Sequence, residues 1–326
     1  MNYPQPIKQT GLRATVAICA YNAKDRISLV LQALAAQNAP ADSWDVLIVD
    51  NASTDGTGQY SSDLAGEILK CRTRVVVEET PGQAFARQRA AREVQGAIIC
   101  FLDDDNIPAP DFVACAIRAF DSRPAAGAIG GKIMAVWETP PTALALAVQG
   151  FALAICDLGD TPIKHELNNG PVGAGLCIRS PILQAIYARK DAAKAAIGRK
   201  GKGLGGGDDL AIGILTWQMG YECWYDPSLV LEHRLPARRM EKDYLLRLYE
   251  GIGCGQAEIR RLYDWKARSP LGVLIGANDL FRWLAGQWSG PGPELRQRYP
   301  EIARDLHELN QRMTLGRSRQ ALGRFS

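Results

Sequence analysis

Three consecutive carboxylates, Asp103, Asp104 and Asp105, stand at the end of the apolar run Ile98-Ile99-Cys100-Phe101-Leu102. Like charges so placed repel one another unless something cationic neutralises them. A hard divalent ion, Mn2+ or Mg2+, does this and also bridges to phosphate oxygens. The plainer alternative is an acidic turn that caps the next helix. A second acidic pair, Asp208 and Asp209, follows Gly205, Gly206 and Gly207. One of these carboxylates could deprotonate a hydroxyl as general base, while the glycines let the loop close over the reactants. Read structurally, the pair simply caps a helix.

Other residues fit around a phosphate-bearing ligand. Asp50 closes the run Val46-Leu47-Ile48-Val49, where a carboxylate can accept from the imino N–H of a uracil-type base or from a ribose hydroxyl. Ser53, Thr54 and Asp55 read first as turn and cap formers. Ala20, Tyr21 and Asn22 include no glycine, which argues against a dinucleotide fingerprint after the first strand. Tyr21 is a candidate to stack on or line a base, with a core-edge tyrosine as the alternative. Pro81-Gly82 opens a segment carrying Arg87 and Arg89, and Arg87 is the preferred contact to a base, ribose or phosphate. His233 ends the last short strand beside Arg234, Arg238 and Arg239, which makes it a candidate metal ligand or diphosphate partner. Gly198-Arg199-Lys200-Gly201-Lys202-Gly203 lacks the Lys-Ser/Thr ending of a P-loop. Gly251, Gly253 and Gly255 fall in helical sequence and receive no nucleotide role.

These side chains need a scaffold that brings strand ends together. Between Arg13 and Ala135 short β-type runs alternate with helical patterns, the mark of a parallel sheet flanked by helices. Strands are predicted at 15–19, 46–49, 74–78 and 97–102, with helices at 25–36, 57–69, 83–94 and 110–120. The second half predicts a strand at 128–137, a helix or apolar segment at 142–157 and a short strand at 174–178. A glycine-dense loop follows at 198–207. A helix at 210–219 closes on Gly220, short strands follow at 223–225 and 229–232, and an amphipathic helix spans 241–263. Ligands of such parallel sheets bind beyond the carboxyl ends of the strands, where Asp50 and Asp103 stand.

Composition bounds the class. The 326 residues, 47% hydrophobic and 22% charged, suit a large globular core. A formal net charge of +3 is too small to imply a nucleic-acid partner. The tail carries Arg312, Arg317, Arg319 and Arg324, which reads as a solvated end or as a contact to an anionic surface. The eight cysteines form no CxxC pair and several sit in apolar runs, which points to reduced thiols and a cytoplasmic setting. The apolar stretch 142–156 is shorter than the ~20 residues a membrane span needs. The stretch 271–288 contains Asp279 and Arg282, and its Phe281, Trp283 and Trp288 suit peripheral docking at an inner membrane face instead.

Taken in order, these segments resemble the family 2 glycosyltransferases of the GT-A fold, over roughly residues 14–239. They are more loosely similar to bacterial polysaccharide-biosynthesis transferases. The resemblance implies an α/β fold with a Rossmann-like, mostly parallel mixed sheet flanked by helices. It places a GT-A domain at 1–235, with a donor half at about 13–135 and an acceptor half at about 136–235. A C-terminal helical extension follows at 236–326. On the donor side stand Ala20, Tyr21, Asn22, Asp50 for the base, Arg87, Asp103 and Asp104, the last facing the ribose. Asp103 and Asp105 match the ends of a DxD motif, and Asp105, Asp103 and His233 become the metal set for Mn2+ or Mg2+. Asp209 looks like the family's catalytic base. Asp208 stands where the family has glutamate, which leaves open which of the two carboxylates faces the acceptor.

The activity so implied is metal-dependent, inverting transfer from a UDP- or GDP-sugar to a glycan or lipid-linked hydroxyl, with homo-oligomerisation left open. A sugar-phosphate nucleotidyltransferase is the first alternative, but it would want a glycine-rich basic loop where Ala20-Tyr21-Asn22-Ala23 stands. A non-catalytic binding module of the same fold is the second.

Overall fold

The computed structural model describes residues 11–166, 170–189, 206–263 and 300–322. The predicted loop at 198–205, the stretch 271–288 and Arg324 lie outside the described residues. Strands β1 (Ala14–Ala20), β2 (Trp44–Asp50), β3 (Arg72–Val77) and β4 (Ile98–Asp103) pair in parallel in the order β3-β2-β1-β4. Their side chains alternate between two apolar layers, as a sheet covered on both faces requires. Val16, Ile18, Val46 and Ile48 enter one core, while Ala17, Leu47, Val49, Ile99 and Phe101 enter the other.

Helix α1 (Ile27–Ala35) buries Ile27, Val30, Leu31 and Leu34, a stripe at helical spacing that seals the first core. Helices α2 (Thr57–Ile68) and α3 (Gln83–Glu93) complete the other crossovers. These elements fall within a few residues of the predicted boundaries. Pro110 precedes α4 (Phe112–Ser122) rather than opening it, and Asp111 takes the N-cap position.

Beyond β4 the sheet turns mixed. The short strand β5 (Asn106–Pro108), β6 (Ala126–Trp137), β7 (Ile163–Lys164), β8 (Cys177–Arg179) and β9 (Glu222–Leu235) extend it to the order β3-β2-β1-β4-β8-β6-β9-β5, with β7 on β9. β8 runs antiparallel to both β4 and β6 and joins the two halves. The two predicted strands at 223–225 and 229–232 are one strand, β9. A register shift opposite Gly131 and Lys132 interrupts it, and there Asp226 accepts from the Ser228 N–H at 3.0 Å. The predicted strand at 174–178 is confined to 177–179. It leads straight into α6 (Ser180–Ala188), a helix the sequence analysis did not predict. β5 and β7 were likewise not predicted; at three and two residues they are too short to show a period.

Helix α5 (Ala143–Ala152) is capped by the Thr142 hydroxyl, which accepts from the Ala145 N–H at 3.1 Å. Helix α7 (Asp208–Gln218) ends before Gly220, whose φ of +85° matches the left-handed stop predicted there. A 3-10 turn at Ala237–Met240 leads into α8 (Lys242–Tyr263), and α9 (Ala303–Leu322) packs along it. A Cβ on Gly253 would lie 2.0 Å from the Met313 carbonyl oxygen, and one on Gly316 2.0 Å from that of Glu250. Gly253 of α8 and Gly316 of α9 therefore serve close packing of the two helices.

A third core joins Leu144 and Val148 of α5 to Leu245 and Leu248 of α8 and Leu306 and Leu309 of α9, across the predicted boundary at 235/236. Among the described residues no helix is long and apolar enough to cross a membrane. All eight cysteines are free thiols.

Candidate active site

The parallel strands end on one edge, and a cleft of about 1200 Å³ opens there. Its walls come from the ends of β1, β4 and β9, the starts of α3 and α7, the turn before α8 and one face of α8. Cys19 lies on its floor, where burial pushes the thiol up to about 12, so it offers no thiolate.

The β4 carboxylates diverge onto separate partners. Asp103 accepts from Gln83 Nε2 at 2.9 Å, and the Asn106 side chain holds its backbone N–H at 3.0 Å. Asp104 accepts a forked pair from Arg26, Nε to Oδ1 at 2.9 Å and Nη2 to Oδ2 at 2.8 Å. Burial, with repulsion from Asp105 and Asp103, pushes the Asp104 carboxyl up to about 6 in spite of that fork. Arg26 also donates to the carbonyls of Tyr21 and Asn22, so one guanidinium fixes the loop after β1.

The third carboxylate reaches the far half of the sheet. β5 pairs antiparallel with β9 so that Asn106 faces His233, which brings Asp105 Oδ1 to 3.6 Å from His233 Nε2. Arg239 bonds both, Nη2 to Asp105 Oδ2 at 2.8 Å and Nη1 to His233 Nε2 at 2.9 Å. A guanidinium can only donate, so Nε2 is the accepting nitrogen and Nδ1 carries the proton. That Nδ1 is buried without a hydrogen-bond partner.

A carboxylate oxygen and an imidazole lone pair thus converge on one cation, a donor set that also fits a divalent ion. The fit is narrower than the sequence implied. Asp103 turns toward Gln83 and does not join Asp105 and His233; among the described residues no group of three or more His, Cys, Asp or Glu side chains could hold a metal.

Asp208 and Asp209 open α7 on the opposite wall. Arg87 from α3 donates to Asp208 Oδ2 at 2.6 Å and to the Gly173 carbonyl at 3.1 Å, with its guanidinium 5.2 Å from the Phe101 ring centre. It is only 2% exposed. Burial works against its charge, but Asp208 and then Asp103 outweigh it and hold it protonated. Arg87, expected from sequence to contact a bound donor, lines the cleft and is paired there with Asp208. Asp209 accepts from the Gly173 N–H at 3.0 Å and the Leu210 N–H at 2.8 Å. Burial and the Asp208 charge raise its pKa against the pull of Arg87. A Cβ on Gly173 would meet Arg87 Nη2 at 3.1 Å and Asp209 Oδ2 at 3.3 Å, so this close approach favours glycine.

At the nucleotide-facing end predicted from sequence, Ala20, Tyr21 and Asn22 line the cleft, with Tyr21 53% exposed. Asn22 adopts φ +45° and its Oδ1 accepts from the Thr54 N–H at 2.8 Å, tying the loop after β1 to that after β2. Asp50 is not among the cleft-lining residues. Its Oδ1 accepts from the Ser53 N–H at 3.1 Å and its Oδ2 faces Gly58, so the carboxylate braces its own turn. Asn51 lines the cleft instead and ties the entry to α3: its Oδ1 accepts from the Gly82 N–H at 2.7 Å.

Sequence reasoning gave Arg26, Gln83 and Asn51 no site role, and it treated Arg239 only as a basic neighbour of His233. Arg26 carried a signal, because a cation at a helix N-terminus opposes the macrodipole and calls for another partner.

Residues 15–173 match the family model described as Glycosyl transferase family 2. The chain is 33% identical over 111 residues to YfnE, an uncharacterized glycosyltransferase of Bacillus subtilis (strain 168), which covers 34% of this chain and 28% of that protein. It is 30% identical over 99 residues to the poly(ribitol-phosphate) beta-glucosyltransferase of Bacillus spizizenii, covering 29% of this chain and 15% of that one. The aligned segments thus span less than a third of these relatives. The mannosyltransferase PcManGT from Pyrobaculum calidifontis, solved in complex with GDP-Man and Mn2+, matches with a TM-score of 0.58 at 18% identity, covering 97% of this chain and 88% of that one. At that identity the likeness is one of fold. Residues 15–173 thus form a domain similar to glycosyltransferase family 2, and the mixed sheet has the GT-A fold.

Proposed function

We propose that the protein is an inverting glycosyltransferase. It would move a sugar from a UDP- or GDP-linked donor to a hydroxyl of a glycan or lipid-linked acceptor, in polysaccharide or glycoconjugate assembly. The observation that carries this reading is the meeting of the β4 carboxylates and the α7 carboxylates across one cleft, with Arg87 between them. PcManGT, which shares the fold, is described with GDP-Man and Mn2+, and the Bacillus spizizenii relative is named for glucosyl transfer to a polymer. Free thiols throughout suit a reducing, cytoplasmic compartment.

Tyr21, Ala20 and Asn22 border the base, Asp104 meets the ribose and Asp103 stands beside it. Asp50 acts on this end through the turn it braces. Asp105 and His233 would hold a Mn2+ or Mg2+ ion, whose charge offsets that of the departing diphosphate. Asp209 accepts the proton of the acceptor hydroxyl as its oxygen attacks the anomeric carbon opposite the diphosphate. The bond from that carbon to the diphosphate oxygen breaks, and the configuration inverts. Burial keeps Asp209 basic enough for this role, and the Arg87–Asp208 pair sets its position and field.

Incubation with a panel of UDP- and GDP-sugars in manganese or magnesium buffer, read as release of nucleoside diphosphate, is expected to select one donor. Pyrophosphate release from a nucleoside triphosphate and a sugar phosphate would replace this reading with a nucleotidyltransferase. Donor binding with no release would leave a non-catalytic module.

A further inference from the structure

Arg239 occupies an unusual position for a surface-turn arginine. It sits in the 3-10 turn between β9 and α8, its side chain is 18% exposed, and its guanidinium bridges Asp105 and His233. Both partners are buried, at 7% and 5% exposure. Removing Arg239 would take a charge-assisted bond from a buried carboxylate that stands beside Asp103 and Asp104, a costly change. The turn that carries Arg239 also presents Arg238 to the same cleft, and α8 presents Arg247.

We infer that Arg239 is a built-in counter-cation that competes with the divalent ion for the His233 lone pair beside Asp105 and transfers to the nucleotide diphosphate when the metal enters. This rests on the reading of Asp105 and His233 as metal ligands. The His233 Nε2 lone pair cannot serve a guanidinium at 2.9 Å and a metal ion at the same time, whereas Asp105 holds the guanidinium on Oδ2 and still presents Oδ1 toward His233. The guanidinium must therefore leave His233 before the ion is bound by both residues. An arginine fork binds phosphate as well as it binds carboxylate, so an arriving diphosphate offers Arg239 a replacement partner inside the same cleft. Metal and nucleotide then bind as a coupled pair: neither the bare ion nor the bare nucleotide displaces the internal cation efficiently, and the two together do. Arg239 is a positioning residue in this scheme, since it acts on the metal through the ligands it releases.

The test is Mn2+ binding to the full chain, measured by calorimetry and by the paramagnetic resonance of free Mn2+, with and without UDP or GDP. Arg239→Ala is expected to tighten nucleotide-free Mn2+ binding by about tenfold, because the competitor is gone. It is also expected to weaken nucleoside diphosphate binding in saturating Mn2+ by about tenfold and so to shrink the coupling between the two ligands. Arg239→Gln, which keeps hydrogen-bond donors but no charge, should shift both affinities in the same directions and serves if the alanine variant unfolds. Unchanged or weaker nucleotide-free Mn2+ binding in both variants overturns the inference, as does undiminished coupling. The metal-site reading fails separately, if the wild-type protein with UDP or GDP binds no Mn2+, or if Asp105→Asn leaves that binding intact.

Discussion

The two halves of the sheet hold their acidic groups in different ways. In the parallel half, Asp104 is gripped by Arg26 just before α1, and Asp103 by Gln83 at the start of α3. Both partners belong to crossovers of the parallel half, Arg26 to that between β1 and β2 and Gln83 to that between β3 and β4. Asp105 and Asp208 depend instead on cations from the opposite half, Arg239 at 134 residues' separation and Arg87 at 121. The first pairs lie within the parallel half, 78 and 20 residues apart. The second pairs exist only when the halves are docked through β8, so Asp105 and Asp208 are the carboxylates that report on docking.

The sharpest way to break this contrast is Asp209→Asn. Transfer is expected to fall by ~10²–10⁴-fold while Mn2+-dependent nucleotide binding persists. Loss of both together would assign Asp209 to the architecture of α7 rather than to proton transfer.

Arg87→Ala should come next. It leaves Asp208 without its ion-pair partner beside a buried aromatic ring, and removing one member of such a pair costs about 3–5 kcal/mol. Urea denaturation read at the tryptophans measures this, and a loss below about 1 kcal/mol would mean the two halves do not rely on the pair.

A pH profile sharpens the picture further. The base form of Asp209 is the deprotonated one, and burial with the Asp208 charge raises its pKa above 3.8. Acidification therefore removes the base at a higher pH than for an ordinary aspartate, and the acid limb of kcat should lie above that value. Asp208→Asn removes one of the raising influences and should move the limb down; an unmoved limb would uncouple the two acids. The stability linkage has the matching sign. A raised folded-state pKa favours the protonated form, so the contribution of Asp209 is full below its unfolded pKa and is lost as pH rises through the folded one.

The smallest effect is expected inside the parallel half. Arg26→Ala removes a partly exposed fork to Asp104, whose Arg26 side chain is 32% exposed, so the stability loss should be about 1 kcal/mol. Because Arg26 also holds the carbonyls of Tyr21 and Asn22, nucleotide affinity should fall with it. Titration of UDP and GDP into the variant checks this, and a stability loss as large as that of Arg87→Ala would erase the difference between the halves.

How much was legible follows the same division. β1 to β4 and their helices were readable because each strand and helix shows its own period, such as Ile27, Val30, Leu31 and Leu34 on α1. α6 was not, although Ser180-Pro181 offers a helix start with proline at its first turn. Its residues follow a three-residue strand, and that whole stretch read as irregular. β9 was split in two because Pro227 and the turn at Asp226 look like a break, whereas pairing with β6 carries the strand through it. In the site, the acidic clusters were visible as residue types at strand ends. Their partners were not, since Arg239 and Arg87 look like any basic residues in sequence.

The order of residues along the chain already specified a parallel α/β sheet with acids at its carboxyl edge, because apolar periodicity and strand-end charge are local properties, and the family resemblance added the GT-A fold. Which acid meets which cation was decided only by the folded chain. The register of β5 on β9 brings Asp105 to His233 and Arg239, and the packing of α3 against the segment before β8 brings Arg87 to Asp208. Electrostatic partnership depends on distances of a few ångströms between residues far apart in sequence, and only tertiary packing sets those.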